Sequence, residues 1–311
     1  HGVHHQGVQR QPEQIAHRGD CRATAPWPRD RQQRSRWLGS SAVHDRSEAD
    51  GLAGDDLAHD DMAVAHLLAD AADEITMARF RADDLAVSTK PDTTPVTDAD
   101  RAVERAVRSL LAEHRPHDSV LGEEEGGVVS GRTWVIDPID GTKNYLRGVP
   151  VWATLVGVVE GAEVPLGLVS APALGRRWWA VRSAGAWVSD RDGHRRPCRV
   201  SAVTDIGDAF VSYASLGGWR TTPQRIEPLL EAAWRTRGFG DFWSYMLLAE
   251  GAVDVVTEPQ LALHDMAALV PIVTEAGGRF TDLDGSPGPF GGNAVATNAL
   301  LHEQALRLLR P

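Results

Sequence analysis

The stretch from Val151 to about Val200 sets the first limit on what this chain can fold into. Its apolar runs VWATLVGVV, VPLGLVS, RWWAVR and AWVS are separated by Gly, Pro and Asp turns. Short runs rich in Val and Trp and bounded by turn formers are strands, and connections this tight make neighbours antiparallel. After Asp208 strands alternate with helices. AFVSY precedes a helix over Pro223 to Trp234, RTRGFGD precedes one through Tyr245 to Glu250, and VDVVTE precedes one over His264 to Ala276. RFTDLDG, AVATN and a closing helix, Leu300 to Leu309, complete the chain.

Upstream of the sheet, Asp55 to Phe80 carries Leu57, Val64, Leu67, Leu68, Ala71, Ile75 and Ala78 at helical spacing. A short strand over Leu85 to Thr89 follows, then a helix from Thr97 to about His114 with Val103, Ala106, Val107, Leu110 and Leu111 on one face. Ser119 to Gly122 and Thr133 to Asp137 read as buried strands, each ending in acid. The expected fold is therefore mixed, an α+β first half joined to an α/β second half in packed layers. Residues 1–54 differ in kind, with eight Arg, five His and little apolar periodicity. They read as a disordered or non-native leader, leaving 55–200 and 201–311 as the two parts of the fold.

A net charge of -11 argues against a nucleic-acid partner, which normally meets a basic face. No apolar run approaches the ~20 residues a membrane-spanning helix needs. Cys21 and Cys198 form neither a disulfide framework nor a zinc motif, which fits a cytoplasmic protein. Arg so dominates the basic residues that Lys90 and Lys143 are the only lysines, and both lie beside the acidic motifs.

The string W-V-I-D-P-I-D-G-T-K-N-Y, Trp134 to Tyr145, holds the densest chemistry. Pro138 is expected to stop the strand and force a turn that keeps Asp137 and Asp140 close. Two carboxylates and the Ile139 carbonyl are hard oxygen donors suited to Mg²⁺. Gly141 and Thr142 offer amides and a hydroxyl where an anion can sit, particularly if a helix starts there. An Asp-rich turn is the plainer alternative. Upstream, Glu123, Glu124 and Glu125 end a strand, and three adjacent acids are tolerated only in water or against a cation. Thr97 and Asp100 fit a capping box, which accounts for both, although Asp100 can also accept a bond from a catalytic hydroxyl. Asp265 opens an apolar helix, where an acid also suits the helix dipole. Glu258 closes a strand as either a substrate contact or a surface acid.

K-P-D-T-T-P-V-T-D-A-D, G-E-E, D-P-I-D-G-T-K-N-Y and H-D-M-A-A with E-A-G-G stand in the order and approximate spacing of the inositol monophosphatase-like superfamily. The resemblance runs from about Asp55 to the C-terminus. K-N-Y-L-R-G-V-P-V-W-A-T, R-T-R-G-F-G-D-F-W-S-Y and L-L-A-E-G-A-V-D look most similar to its bacterial histidinol-phosphatase branch. The resemblance implies a layered αβαβα sandwich, a homodimer, and two or three Mg²⁺ ions per active site. It implies a phosphomonoesterase that hydrolyses the small-molecule ester histidinol phosphate in histidine biosynthesis, using a metal-activated water. By motif, Glu123, Asp137, the Ile139 carbonyl, Asp140 and Asp265 hold the metals. Thr142, backed by Asp100, and Glu123 form the catalytic set, while the Gly141 and Thr142 amides take the phosphate. Arg237, Asp241 and Glu258 fall where the family contacts the organic part of its substrate. Acids there suit the cationic histidinol phosphate, and Glu258 suits the hydroxyls of inositol equally. Inositol-1-monophosphatase is thus the alternative activity, ahead of a 3'-phosphoadenosine-type nucleotide phosphatase and of a non-catalytic binding relative. The chain departs from the family in carrying His264 where Trp is common before the last metal aspartate.

Overall fold

The computed structural model describes residues 52–90 and 94–310, with side chains from Asp60 onward. The leader reading for 1–54 lies outside them except for its last three residues, as does the side chain of Leu57.

Two sheets organise the molecule. The larger has seven strands in sequence order: β3 (Ser119–Gly122), β4 (Arg132–Asp140), β5 (Ala153–Glu160), β6 (Glu163–Ala171), β7 (Arg176–Val181), β8 (Ala186–Asp190) and β9 (Arg195–Pro197). Only β3 and β4 are parallel, with Gly122 opposite Ile136, and β4 to β9 form the antiparallel meander that the turn spacing predicts. The smaller sheet has the order β11-β10-β12-β14-β13, from Arg235–Arg237, Phe210–Tyr213, Val255–Glu258, Ala294–Thr297 and Arg279–Thr281. A hairpin of β1 (Val87–Thr89) and β2 (Pro95–Thr97) stands apart.

Helices fill the remaining layers. On one face of the large sheet lie α1 (Leu52–Arg79) and α2 (Asp98–His114). Val64, Leu68, Val103, Val107 and Leu111 pack there on Trp134, Ile136, Val156 and Val158. Between the sheets, α6 (Asp241–Ala249) and α8 (Leu269–Glu275) bring Phe242, Tyr245, Met246, Leu269 and Ile272 against Leu155, Val169 and Trp178 on one side. Val256, Phe280 and Ala296 close the other side of that core. Each such buried side chain contributes about 1.5–3 kcal/mol, so the middle layer fixes one sheet to the other. Beyond the small sheet, α5 (Glu227–Ala232) and α9 (His302–Leu309) cover Val211, Val255 and Val295. The result is an αβαβα sandwich, as expected. Short helices α3 (Thr142–Leu146), α4 (Leu216–Trp219) and α7 (Leu263–Met266) complete it.

Three local expectations are corrected. Pro138 does not end its strand: β4 continues to Asp140, and its pairing with β5 shifts register between Asp137 and Asp140. A bulge releases the missing proline N–H from the ladder, so the residue is tolerated inside the element. The buried stripe of α1 is turned from the one read in sequence, with Ala65, Ala69 and Ala72 inside and Leu67 exposed. The small alanines allow close approach to α2 and the sheet. Finally, the helix read over His264 to Ala276 is two, α7 and α8, because Pro271 lacks the N–H that would bond the carbonyl four residues earlier.

Candidate active site

The parallel pairing of β3 with β4 builds the first half of the site. The Glu123 amide donates to the Ile136 carbonyl (3.2 Å), extending that ladder by one bond and setting Glu123 beside Asp137. Asp137 is 2 % exposed. Its Oδ1 accepts the Ile139 amide (3.0 Å) across the bulge, while Thr154 Oγ1 donates to the Pro138 carbonyl (2.8 Å). The two bonds hold the bulge from both sides, so the proline shapes the turn without breaking the sheet.

Gly141 follows as the cap of α3 with φ 84°. A side chain there is strained, and its Cβ would also lie 3.1 Å from the Val151 carbonyl. The Asn144 and Tyr145 amides bond the Gly141 carbonyl (2.8 and 3.0 Å), leaving the amides of Gly141 and Thr142 ahead of the first helical bond. Thr142 Oγ1 donates to the Ile139 carbonyl (3.0 Å), which keeps a second lone pair.

Distant segments supply the second half. Asp265 sits in the first turn of α7, with its Oδ2 accepting the Ala262 amide (2.6 Å). Asp140 Oδ2 accepts the Phe242 amide (2.6 Å) from the first turn of α6. The preceding residue, Asp241, has φ 51°, an uncommon conformation for a non-glycine residue. Glu258 ends β12, 5 % exposed. One oxygen each from Asp137, Asp140 and Asp265 fall within 4.8 Å of one another.

The electrostatics of these acids share one sign. Burial raises the Asp137 carboxyl well above the usual carboxylate range, and the charges of Glu123, Asp140 and Asp265 raise it further. Burial, Asp241 and Asp265 do the same to Asp140. Glu258 is raised by burial and by Asp241 and Asp265, and Asp241 by burial and Asp265. Asp265 is raised by burial despite the opposing His264. The countercharge nearest this group is Lys90, whose Nζ lies 2.6 Å from both Glu123 Oε1 and Glu124 Oε1. Buried acids that raise one another in this way suit a cation in their midst, which reverses the sign of every such interaction. The donors are all hard oxygens, and they fit a Mg²⁺-type ion rather than a thiol- or imidazole-bound one.

Sequence reasoning therefore brought Glu123, Asp137, Ile139, Asp140, Gly141, Thr142, Asp241, Glu258 and Asp265 into one neighbourhood. One expected partnership is arranged differently. Asp100 Oδ2 accepts from Thr97 Oγ1 (2.5 Å) and the Thr97 amide (2.8 Å), as in a capping box, and Thr142 bonds Ile139 instead. Arg237 is exposed with Nη1 on the Thr236 carbonyl (2.7 Å), and no ion pair joins it to Asp241 or Glu258 among the described residues. Asn144 was missed. Its Nδ2 donates to the Val151 carbonyl (2.9 Å) and reaches Asp241 Oδ2 (3.3 Å), tying α6 to the Asp-rich turn. Its place inside K-N-Y was the available signal. His264 is partly buried, with Nε2 3.7 Å from Asp265 Oδ1.

Residues 58–310 match the inositol monophosphatase family. A histidinol-phosphatase of Mycobacterium tuberculosis is 53 % identical over 81 % of this chain and 99 % of its own length. One from Streptomyces coelicolor is 55 % identical over 80 % of this chain and 97 % of its own. Among solved structures, the extragenic suppressor protein suhB of Bartonella henselae superposes with a TM-score of 0.73 at 28 % identity, covering 80 % of this chain and 97 % of that one. The chain belongs to the inositol monophosphatase family. It is a phosphoric monoester hydrolase whose substrates are small phosphate esters.

Proposed function

We propose that this chain hydrolyses histidinol phosphate to histidinol and phosphate, with two or three Mg²⁺ ions per active site. The observation that carries the reading is the 53–55 % identity, across nearly the whole length of the relatives, to two histidinol-phosphatases. Glu123, Asp137, the Ile139 carbonyl, Asp140 and Asp265 would hold the metal. When bound, it supplies a water acidic enough to act as nucleophile at neutral pH and neutralises charge on the phosphate and leaving oxygen. The Gly141 and Thr142 amides receive phosphate oxygens, and the Thr142 hydroxyl orients the attacking water. Asp100, which here accepts from Thr97, is kept as the expected partner of that hydroxyl. No protein nucleophile is required.

Asp241 and Glu258 take the organic half of the substrate. Both carboxyls are raised by burial and by the charge of Asp265, and an ammonium or imidazolium beside them would offset both causes. The unusual backbone of Asp241 supports this role, since such conformations persist where surrounding structure holds a side chain for function. Arg237 stays in the proposal as a rim residue. The reading extends to a cytoplasmic homodimer serving histidine biosynthesis, with most metal ligands in 55–200 and the last in 201–311. No helix among the described residues is long and apolar enough to cross a membrane.

Turnover of histidinol phosphate and inositol-1-phosphate at equal concentration tests the proposal. Histidinol phosphate is expected to be preferred, and Asp241→Asn to lower its kcat/KM by roughly tenfold or more, the worth of one hydrogen bond to a charged group. Inositol-1-phosphate, which carries no cation, should lose less. Preference for the inositol ester would transfer the assignment to that substrate, and no release from any ester would leave a binding relative.

A further inference from the structure

Helix α2 presents Asp100, Glu104 and Arg108 at four-residue spacing, so the three share one face. Asp100 belongs to the cap. Glu104 is 0 % exposed and lies outside the carboxylate group described above. Its Oε2 accepts the Glu124 amide (2.7 Å) and its Oε1 the Glu125 amide (3.0 Å). Arg108 supplies the countercharge through Nε (3.0 Å) and Nη2 (2.8 Å) to Oε1, and Nη2 also reaches the Gly126 carbonyl (2.5 Å). The end of β3 is shaped to receive this acid. A Cβ on Gly122 would stand 2.0 Å from Glu104 Oε1 and 2.2 Å from Cδ. Glycine is needed there for space.

We infer that Glu104 is a positioning residue for Glu123, an inference that rests on Glu123 being a metal ligand as proposed. Glu123 is held on its N-terminal side by its own amide bond to Ile136, and on its C-terminal side Glu104 takes the next two amides inside a loop that Gly122 N and the Gly126 carbonyl close (3.0 Å). Lys90 pulls on the same carboxylate from the β1–β2 hairpin side. Without Glu104 the backbone after Glu123 loses its acceptors, and the Glu123 side chain is free to follow Lys90 away from Asp137. Gly122 and Arg108 belong to the same device. One makes room for the carboxylate, and the other pairs with it while linking it to the far end of the loop.

Outer groups that orient metal ligands typically cost 10–100-fold in metal affinity when removed. In the full chain, Glu104→Gln keeps the volume but turns one acceptor into an amide donor facing a backbone N–H. The Mg²⁺ concentration giving half-maximal phosphate release should rise about 10–100-fold, with turnover recovering at saturating Mg²⁺. The Mg²⁺ concentration needed to raise the unfolding temperature should shift by the same factor, a readout independent of turnover. Gly122→Ala, which displaces the carboxylate from the opposite side, should reproduce the shift and decides the matter if Glu104→Gln does not fold. Glu113→Gln, exposed on the same helix, should leave both midpoints unchanged. A lower unfolding temperature with wild-type Mg²⁺ midpoints would reduce Glu104 to a structural acid and overturn the inference. So would a wild-type protein whose unfolding is indifferent to Mg²⁺. If Mg²⁺ stabilises the wild type but no ester is cleaved, the proposed function fails while the midpoint shift still decides the role of Glu104.

Discussion

Two groups of acids in this molecule are built on opposite plans. Under α1, Arg177 of β7 places Nη2 2.9 Å from Asp70 and 2.7 Å from Asp73, while its Nε donates to Ser170 Oγ (3.1 Å) and Ser170 donates to Asp73 (2.9 Å). Burial lowers the arginine, but Asp73 and Asp70 outweigh it and hold the guanidinium above its ordinary value. Burial raises Asp73 too, and there Arg177 opposes it. Neighbouring His66 is pushed down to about 3 by burial and by Arg177, so it adds no charge at neutral pH. Around Asp137 and Asp140 the neighbouring charges reinforce burial instead of opposing it, and Asp265 is among those charges. The first group is complete within the chain and fastens a helix to a sheet. The second carries a charge deficit that folding alone does not relieve, and the proposed cation would relieve it.

Removing the central charge of each group tests the contrast. Arg177→Ala should cost about 3 kcal/mol in denaturant unfolding, because the largely covered Asp73 loses its partner. Its Mg²⁺ midpoint for phosphate release should stay at the wild-type value. A shifted midpoint would mean that the two groups are coupled. Asp140→Asn should behave in reverse. Phosphate release should fall by about 10²–10³-fold, the scale for losing one preorganised electrostatic contact. The folded state should survive, since the amide oxygen can still accept the Phe242 N–H. Wild-type turnover in this variant would remove Asp140 from the site.

Legibility in the sequence followed the same division. D-P-I-D-G-T exposed the first half of the candidate site because its oxygen donors lie within four residues, and G-E-E joined it because two short strands ending in acid invite parallel pairing. The second half is assembled by tertiary structure. Asp241 and Asp265 are ordinary first-turn acids in sequence, and only the family resemblance set them beside Asp140. The layers were readable from periodicity. The α1 stripe was not, because alanines carry a weak apolar signal and Leu67 a misleadingly strong one. Pro138 misled for a related reason: a proline ends a regular strand, and no local pattern announces a bulge that accommodates it. Glu104 carries no motif in the sequence, and its burial becomes visible only when Gly122 is seen against it.

The smallest effect and the most direct one meet in thermal unfolding. At each raised carboxyl the folded chain binds a proton more tightly than the unfolded chain, so the contribution of these groups to metal-free stability is fullest in acid and is lost as pH climbs through the raised values. Asp100, pushed from 3.8 to about 6 by burial, places part of that loss between those two pH values. The decisive experiment compares wild type with Asp140→Asn at pH 7, with and without Mg²⁺. Without metal, the variant should unfold at the higher temperature, because one of the mutually repelling charges is gone. With Mg²⁺ at a hundred times its dissociation constant the wild type should gain about 2.7 kcal/mol and overtake it. A metal-free variant less stable than wild type, together with a wild type that Mg²⁺ leaves unchanged, would contradict the claim that this acid group is a cation site.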